Sequence, residues 1–192
     1  SYYDTLNDFG SEEEVTDQAI FGGWTGGVSG TWTVDNSPYV LTGSIYLNGD
    51  LTIEPGVEVL FYGNHNIQSW DYYTLSAEGT ETDSIYFKSL IEGDEWGGVY
   101  LYGGGNHRFS YVDFSDSSNE GLSIMEHSFG DVYIGNSKFH QNNVGVYVYS
   151  VLDYNESTVN IDNCEFSNND WTGIYASTMY YSDTFIDECP FT

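Results

Sequence analysis

The sequence predicts an all-β chain wound into a single-stranded solenoid of parallel strands, with about 25 residues per coil. Three observations predict it. Apolar residues come in short alternating runs, such as Ser44-Ile45-Tyr46-Leu47 and Ser84-Ile85-Tyr86-Phe87, broken by Gly, Asn, Asp and Ser. No sustained apolar pattern has the 3.6-residue period of an amphipathic helix. Two motifs also recur at nearly fixed spacing, the sequence mark of a repeat architecture.

The first motif is a large apolar residue, a small or apolar residue three later, and Phe two after that. It begins at Phe109, Ile134, Ile161 and Ile186, with spacings of 25, 27 and 25. The second is a glycine followed at once by an aliphatic residue: Gly98-Val99, Gly121-Leu122, Gly145-Val146 and Gly173-Ile174. One coil cannot bury its apolar face alone. Stacking at ~4.8 Å sets Phe on Phe and aliphatic on aliphatic in a continuous core. The glycines are expected to allow sharp corners at positive φ. The corner Asn and Asp residues tolerate the same conformation and can bond along a ladder. A β-sandwich also has short strands, but its strands would not repeat one motif in register.

Residues 1–27 fall outside the pattern, carry the acidic run Glu12-Glu13-Glu14 and are read as an N-terminal arm or cap. Residues 28–192 are read as the solenoid. Its C-terminal coil is expected to be incomplete, because the motif at Cys189-Pro190-Phe191-Thr192 is not followed by its glycine–aliphatic partner. An exposed coil end invites pairing, so end-to-end stacking into a homo-oligomer or filament is expected alongside truncation and self-capping.

Charge narrows the partners. The chain has 192 residues, 30 acidic side chains against three basic ones, and a net charge of −27. Such a surface repels nucleic acid, anionic membranes and anionic polysaccharides, and suits a high-salt setting. Its 18 Tyr, 11 Phe and 5 Trp argue against disorder. No run of ~18 apolar residues offers a membrane span. The chain starts at Ser1 and shows no signal peptide, as a processed, secreted or cell-surface chain would, and as a trimmed sequence would equally. Asn155-Glu156-Ser157 is a glycosylation sequon.

The run from Gly43 to Val59, containing Leu51-Thr52-Ile53-Glu54-Pro55-Gly56, resembles the opening coils of secreted bacterial right-handed parallel β-helix proteins of the pectate-lyase-like superfamily. So do Ala77-Glu78-Gly79-Thr80, Ile85-Tyr86-Phe87 and Trp96-Gly97-Gly98-Val99. The resemblance covers about residues 40 to 191 and implies a right-handed parallel β-helix. It leaves activity open, since members include non-catalytic surface modules and polysaccharide-degrading enzymes.

The chemistry of those enzymes is missing. The only arginine is Arg108, no Arg-x-Lys pair exists, and the paired-Asp and Gly-His-Gly signatures are absent. A glycosidase needs only two carboxylates ~5–9.5 Å apart. Asp113 with Asp116, and Asp162 with Glu165, near coil corners, are the candidate pairs, and Trp70, Trp96 and Trp171 are candidate sugar-stacking rings, with Trp96 expected rather to pack near the start of its strand. His65, His107, His127 and His140 lack metal-ligand spacing. Asp162 and Asp187 share an outward column and are the calcium candidates, since the ion takes hard carboxylate oxygens. Cys164 and Cys189 share a motif position in adjacent coils, and a disulfide and two buried thiols are both open. No Thr column repeats, which argues against ice binding. The expected function is an extracellular, non-enzymatic structural or adhesive module without a cofactor. Its contacts would involve tyrosines such as Tyr147, Tyr149, Tyr154, Tyr180 and Tyr181. The alternative is a polysaccharide-binding or polysaccharide-degrading β-helix.

Overall fold

The computed structural model describes residues 23–149, 157–177 and 183–192. They wind into a parallel β-solenoid of about six turns, each of about 25 residues. β1 (Trp24–Trp32) and β2 (Tyr39–Ile53) bend through several faces of the first coils. Three short strands per coil follow. These are β3 (Glu58–Phe61), β4 (Asn66–Ser69) and β5 (Leu75–Glu78); β6 (Ile85–Ser89), β7 (Gly98–Gly104) and β8 (His107–Ser110); β9 (Val112–Ser115), β10 (Glu120–Phe129) and β11 (Val132–Gly135); β12 (Lys138–His140), β13 (Val144–Tyr149) and β14 (Thr158–Asp162); and β15 (Glu165–Ser167), β16 (Thr172–Ser177) and β17 (Asp183–Asp187). Each pairs in parallel with its counterpart one coil away.

Three faces result. β3, β6, β9, β12 and β15 form a phenylalanine face. Its inward rings stack along the axis: Phe87 on Phe114 at 4.8 Å, Phe114 on Phe139 at 5.0 Å, Phe139 on Phe166 and Phe166 on Phe191 at 5.2 Å. β4, β7, β10, β13 and β16 form a tyrosine face, whose outward side chains are described below. β5, β8, β11, β14 and β17 form the third face, with inward columns such as Phe109–Ile134–Ile161–Ile186. Alternation does the sorting. In β11, Val132 and Ile134 are buried while Tyr133 between them points out.

The corners follow two rules. Between the third and phenylalanine faces, Tyr111, Asn136, Asn163 and Glu188 each turn the chain through one left-handed residue, with φ of 49°, 51°, 50° and 49°. Between the phenylalanine and tyrosine faces, Asp116, Gln141 and Asn168 do the same. The next residue in that turn points inward and forms a polar ladder. Asn142 Oδ1 accepts the Ser117 N–H at 3.1 Å, and Asn142 Nδ2 donates to Phe114 O at 3.0 Å. Asn169 repeats this one coil on, accepting the Asn142 N–H at 3.1 Å and donating to Phe139 O at 2.9 Å.

The glycine column works differently from the sequence expectation. Of its four members only Gly98 has positive φ, at 99°. Gly145 and Gly173 are required for space. A Cβ on Gly145 would lie 2.8 Å from the Phe166 ring, and one on Gly173 2.7 Å from the Phe191 ring. The backbone of the tyrosine face therefore packs directly against the phenylalanine stack.

The solenoid also starts earlier than residue 28, since Trp24, Gly26 and Gly27 already pair with β2. The rest of the proposed arm, residues 1–22, lies outside the described residues. All three basic side chains of the chain bridge to carboxylates of a neighbouring coil: Lys88 to Glu58 at 2.8 Å, Arg108 to Glu78 at 3.5 Å and Lys138 to Glu165 at 3.9 Å.

Candidate functional site

The tyrosine face places residues outward immediately after each inward aliphatic of the second motif. Tyr100 follows Val99, Ser123 follows Leu122, Tyr147 follows Val146 and Tyr175 follows Ile174, all in register. Two positions on, a second outward row holds Tyr102, Met125, Tyr149 and Ser177.

The rings gather into two clusters. Trp70 stacks on Tyr102 at 4.2 Å with 7° between planes, and Tyr102 lies 6.1 Å from Tyr100. Two coils further along, Tyr147 stacks on Tyr175 at 4.9 Å and lies 6.0 Å from Tyr149, while Trp171 covers Tyr175 at 5.4 Å. The intervening coil contributes Ser123, which sits between Tyr100 and Tyr147, is fully buried, and has a hydroxyl with no hydrogen-bond partner. The outer tryptophans are the most open parts, with Trp70 54% and Trp171 62% exposed. At the neighbouring corner Tyr72 meets Phe129 at 5.6 Å, adding two more exposed rings.

Electrostatics keep this face neutral but ringed by acid. Burial and then the Glu120 carboxylate raise the Tyr100 phenol far above its ordinary value. Burial raises Tyr102 as well, with Glu120 and Glu126 adding to it. Tyr147 is raised by burial, then by Tyr175 and Glu120. These phenols therefore stay protonated and can donate. Flat apolar rings bordered by phenolic hydroxyls, the Gln68 amide and Glu120 suit a ligand with apolar faces and a hydroxylated rim.

The other predicted residues are distributed as follows. Trp96 packs inward, as expected from its place near the start of its strand: it is fully buried against Phe61 at 4.1 Å and its indole donates to Ser115 O at 2.6 Å. Tyr154, Tyr180, Tyr181 and the sequon Asn155 lie outside the described residues. Asp113 is held by His140 at 2.8 Å, and the Ser115 hydroxyl donates to Asp116. Asp162 and Glu165 point from different faces, separated by the left-handed Asn163. Asp162 and Asp187 are register partners, and Asp187 accepts the Glu188 N–H at 3.0 Å. Among the described residues no third His, Cys, Asp or Glu joins them.

Both cysteines are free thiols, each donating to the carbonyl two residues back: Cys164 to Asp162 O at 3.3 Å and Cys189 to Asp187 O at 3.0 Å. Ser137, one coil earlier, makes the same bond to Gly135 O at 2.8 Å. His107 is wholly buried, with Nδ1 accepting the Leu75 N–H at 3.1 Å and Nε2 facing Gly104 O at 3.1 Å. That pairing makes it a structural, neutral bridge between coils. Sequence reading missed Tyr100, Tyr102, Tyr175 and Ser123, although the position after each glycine–aliphatic pair would have found three of them.

No curated protein and no solved structure matches the chain. The family model for the right-handed β-helix region matches residues 86–192, the last four motif-bearing coils and more than half of the sequence. The stacked Phe and aliphatic columns and the parallel three-faced winding agree with that match, and the chain belongs to the right-handed β-helix family.

Proposed function

We propose that this chain is an extracellular, non-enzymatic adhesive module that docks neutral polysaccharide on its tyrosine face. The observation carrying the reading is the outward band of Trp70, Tyr102, Tyr100, Tyr147, Tyr175 and Trp171 on a rigid sheet. Aromatic rings supply stacking area at little entropic cost, because the strands fix them beforehand. The net charge of −27 opposes anionic chains and leaves neutral ones. The missing basic catalytic signatures support the non-enzymatic half. Electrophoresis through gels containing neutral β-glucan, mannan or xylan tests this. The chain should be retarded in at least one and not in polygalacturonate, and Trp171→Ala/Tyr175→Ala should migrate freely. Release of reducing ends that is lost in Glu120→Gln would make it an enzyme instead.

A second reading, end-to-end assembly, is supported by the far end of the core. The phenylalanine stack ends on Phe191, which is 56% exposed beside a recess of about 230 Å³ lined by Phe166, Asn169, Gly173 and Thr192. That surface accepts another coil, either from sequence beyond Thr192 or from a second copy. Sedimentation distinguishes them: concentration-dependent growth supports copies stacking, and a monomer at every concentration rejects it.

A further inference from the structure

Cys164 and Cys189 are the two cysteines of the chain, and neither has a task on the aromatic face. They belong to one inward column just past the corner between the third and phenylalanine faces, whose earlier members are Val112 and Ser137. The two stand opposite each other. Asp162 pairs with Asp187 two residues before them, and Phe166 pairs with Phe191 two residues after. Adjacent strands lie ~4.8 Å apart, within the ~4.4–6.8 Å that a disulfide spans between Cα atoms. Val112 and Ser137 fill the same position without sulfur, so the packing of this column does not demand a thiol pair.

Both sulfurs are held by weak bonds. Cys164 Sγ donates to Asp162 O at 3.3 Å and lies 3.7 Å from Ile134 O. Cys189 Sγ donates to Asp187 O at 3.0 Å and lies 3.8 Å from Ile161 O, so it already leans toward the coil of Cys164. A bond between them requires Cys164 Sγ to turn from Ile134 O to the next coil, which gives up only weak S–H···O contacts. It also requires the Cβ atoms to close to ~3.8 Å. The last coil is free to make that shift, because among the described residues β17 pairs with β14 alone and Phe191 with Phe166 alone.

We propose that Cys164 and Cys189 form a reversible disulfide that fastens the last coil, from β17 to Thr192, onto the coil before it. The oxidant is a small-molecule disulfide, and it meets the half-buried Cys189 first. The Cys189 thiolate attacks one sulfur, and the other leaves as a thiol carrying the proton that Cys189 gave up. Cys164 then loses its proton, attacks the Cys189 sulfur and expels the second small thiol, which takes that proton. Two protein thiols are oxidised to one disulfide, and one small disulfide is reduced to two thiols. Burial pushes the Cys164 thiol up to about 12, with Cys189 adding to the rise, so this second step is the slow one. Excess small thiol runs the exchange backward. The pair shares no residue with the aromatic face and stands or falls apart from it.

Incubating the intact chain with oxidised glutathione at pH 8 tests the proposal. The expected product is a monomer lighter by two hydrogens. After cleavage at glutamate without reduction, its Cys164 and Cys189 peptides should stay joined. Hydrogen exchange of the β17 amides should slow about tenfold on oxidation and recover on adding reduced glutathione, while β6 and β9 stay unchanged. Cys164→Ser copies Ser137 of the preceding coil, so it should fold, end as a glutathione adduct on Cys189 and show unaltered exchange. A native chain that halts at that adduct, or that joins to a second chain through Cys189, overturns the pairing. A bond within the chain that leaves β17 exchange unchanged overturns the fastening of the last coil.

Discussion

Replacing Asn142 by Ala should cost about 4 kcal/mol of stability, although the side chain points inward, away from the outward rings. Asn142 is 1% exposed, and its amide serves three partners. Its Oδ1 is the acceptor for the N–H of Ser117, itself 2% exposed. Its Nδ2 donates to Phe114 O and, at 3.2 Å, to Asn169 Oδ1. Removing it leaves a buried N–H unsatisfied, at about 1–3 kcal/mol, and deletes two further bonds at about 1 kcal/mol each. Asn163→Ala is the control. Its side chain is exposed and makes one bond, so that change should cost about 1–2 kcal/mol, mainly from placing Ala in a left-handed turn. Urea unfolding followed by circular dichroism, with linear extrapolation at unchanged slope, measures both. Equal losses for the two variants would refute the assignment of the inward ladder as the element tying the coils at this corner.

Three other outcomes follow from the same geometry. The His140 imidazole is raised above its ordinary value chiefly by its hydrogen bond to Asp113, against the opposing effect of burial. Its contribution is therefore complete below about pH 6.5 and fades as pH climbs through the raised value. The urea-midpoint gap between the native chain and His140→Gln should be widest near pH 5.5 and shrink toward pH 9; a gap that widens with pH contradicts the pairing. Burial pushes the Cys164 thiol up to about 12, whereas Cys189 is only half-buried. Iodoacetamide at pH 8 should label Cys189 first in the folded chain, as read by peptide mass, and equal labelling would contradict the packing. Salt should stabilise a chain of net charge −27 by screening its self-repulsion. Raising NaCl from 20 mM to 0.5 M should lift Tm by about 2–4 °C, the shift that ~1 kcal/mol produces at this size, and a fall would contradict it.

The columns were legible in the sequence because they depend on spacing alone. Phe114, Phe139, Phe166 and Phe191 stack as their motif positions require, and Asp162 meets Asp187 in register. What spacing does not encode is depth. Gly145 and Gly173 read as turn formers until the phenylalanine rings are seen against them. Trp96 reads as packing near the start of its strand, but only the fold shows that its ring lies over Phe61 and closes the core where a longer loop enters β7. Asn142 and Asn136 are both corner asparagines. One faces inward and the other outward, because the left-handed residue precedes the first and is the second.

The aromatic band carries the functional account, and its most direct test removes the rings while keeping the strand. The outward rows already hold Ser123 and Ser177, so Tyr147→Ser/Tyr175→Ser preserves a residue type that these strands accept. Binding of the native chain and this variant to the retarding neutral polysaccharide, measured by sedimentation of the bound fraction, gives two affinities. The account predicts at least about tenfold weaker binding, equivalent to ~1.4 kcal/mol, with an unchanged urea midpoint. Unchanged affinity in a folded variant would contradict the claim that this face is where the chain meets its ligand.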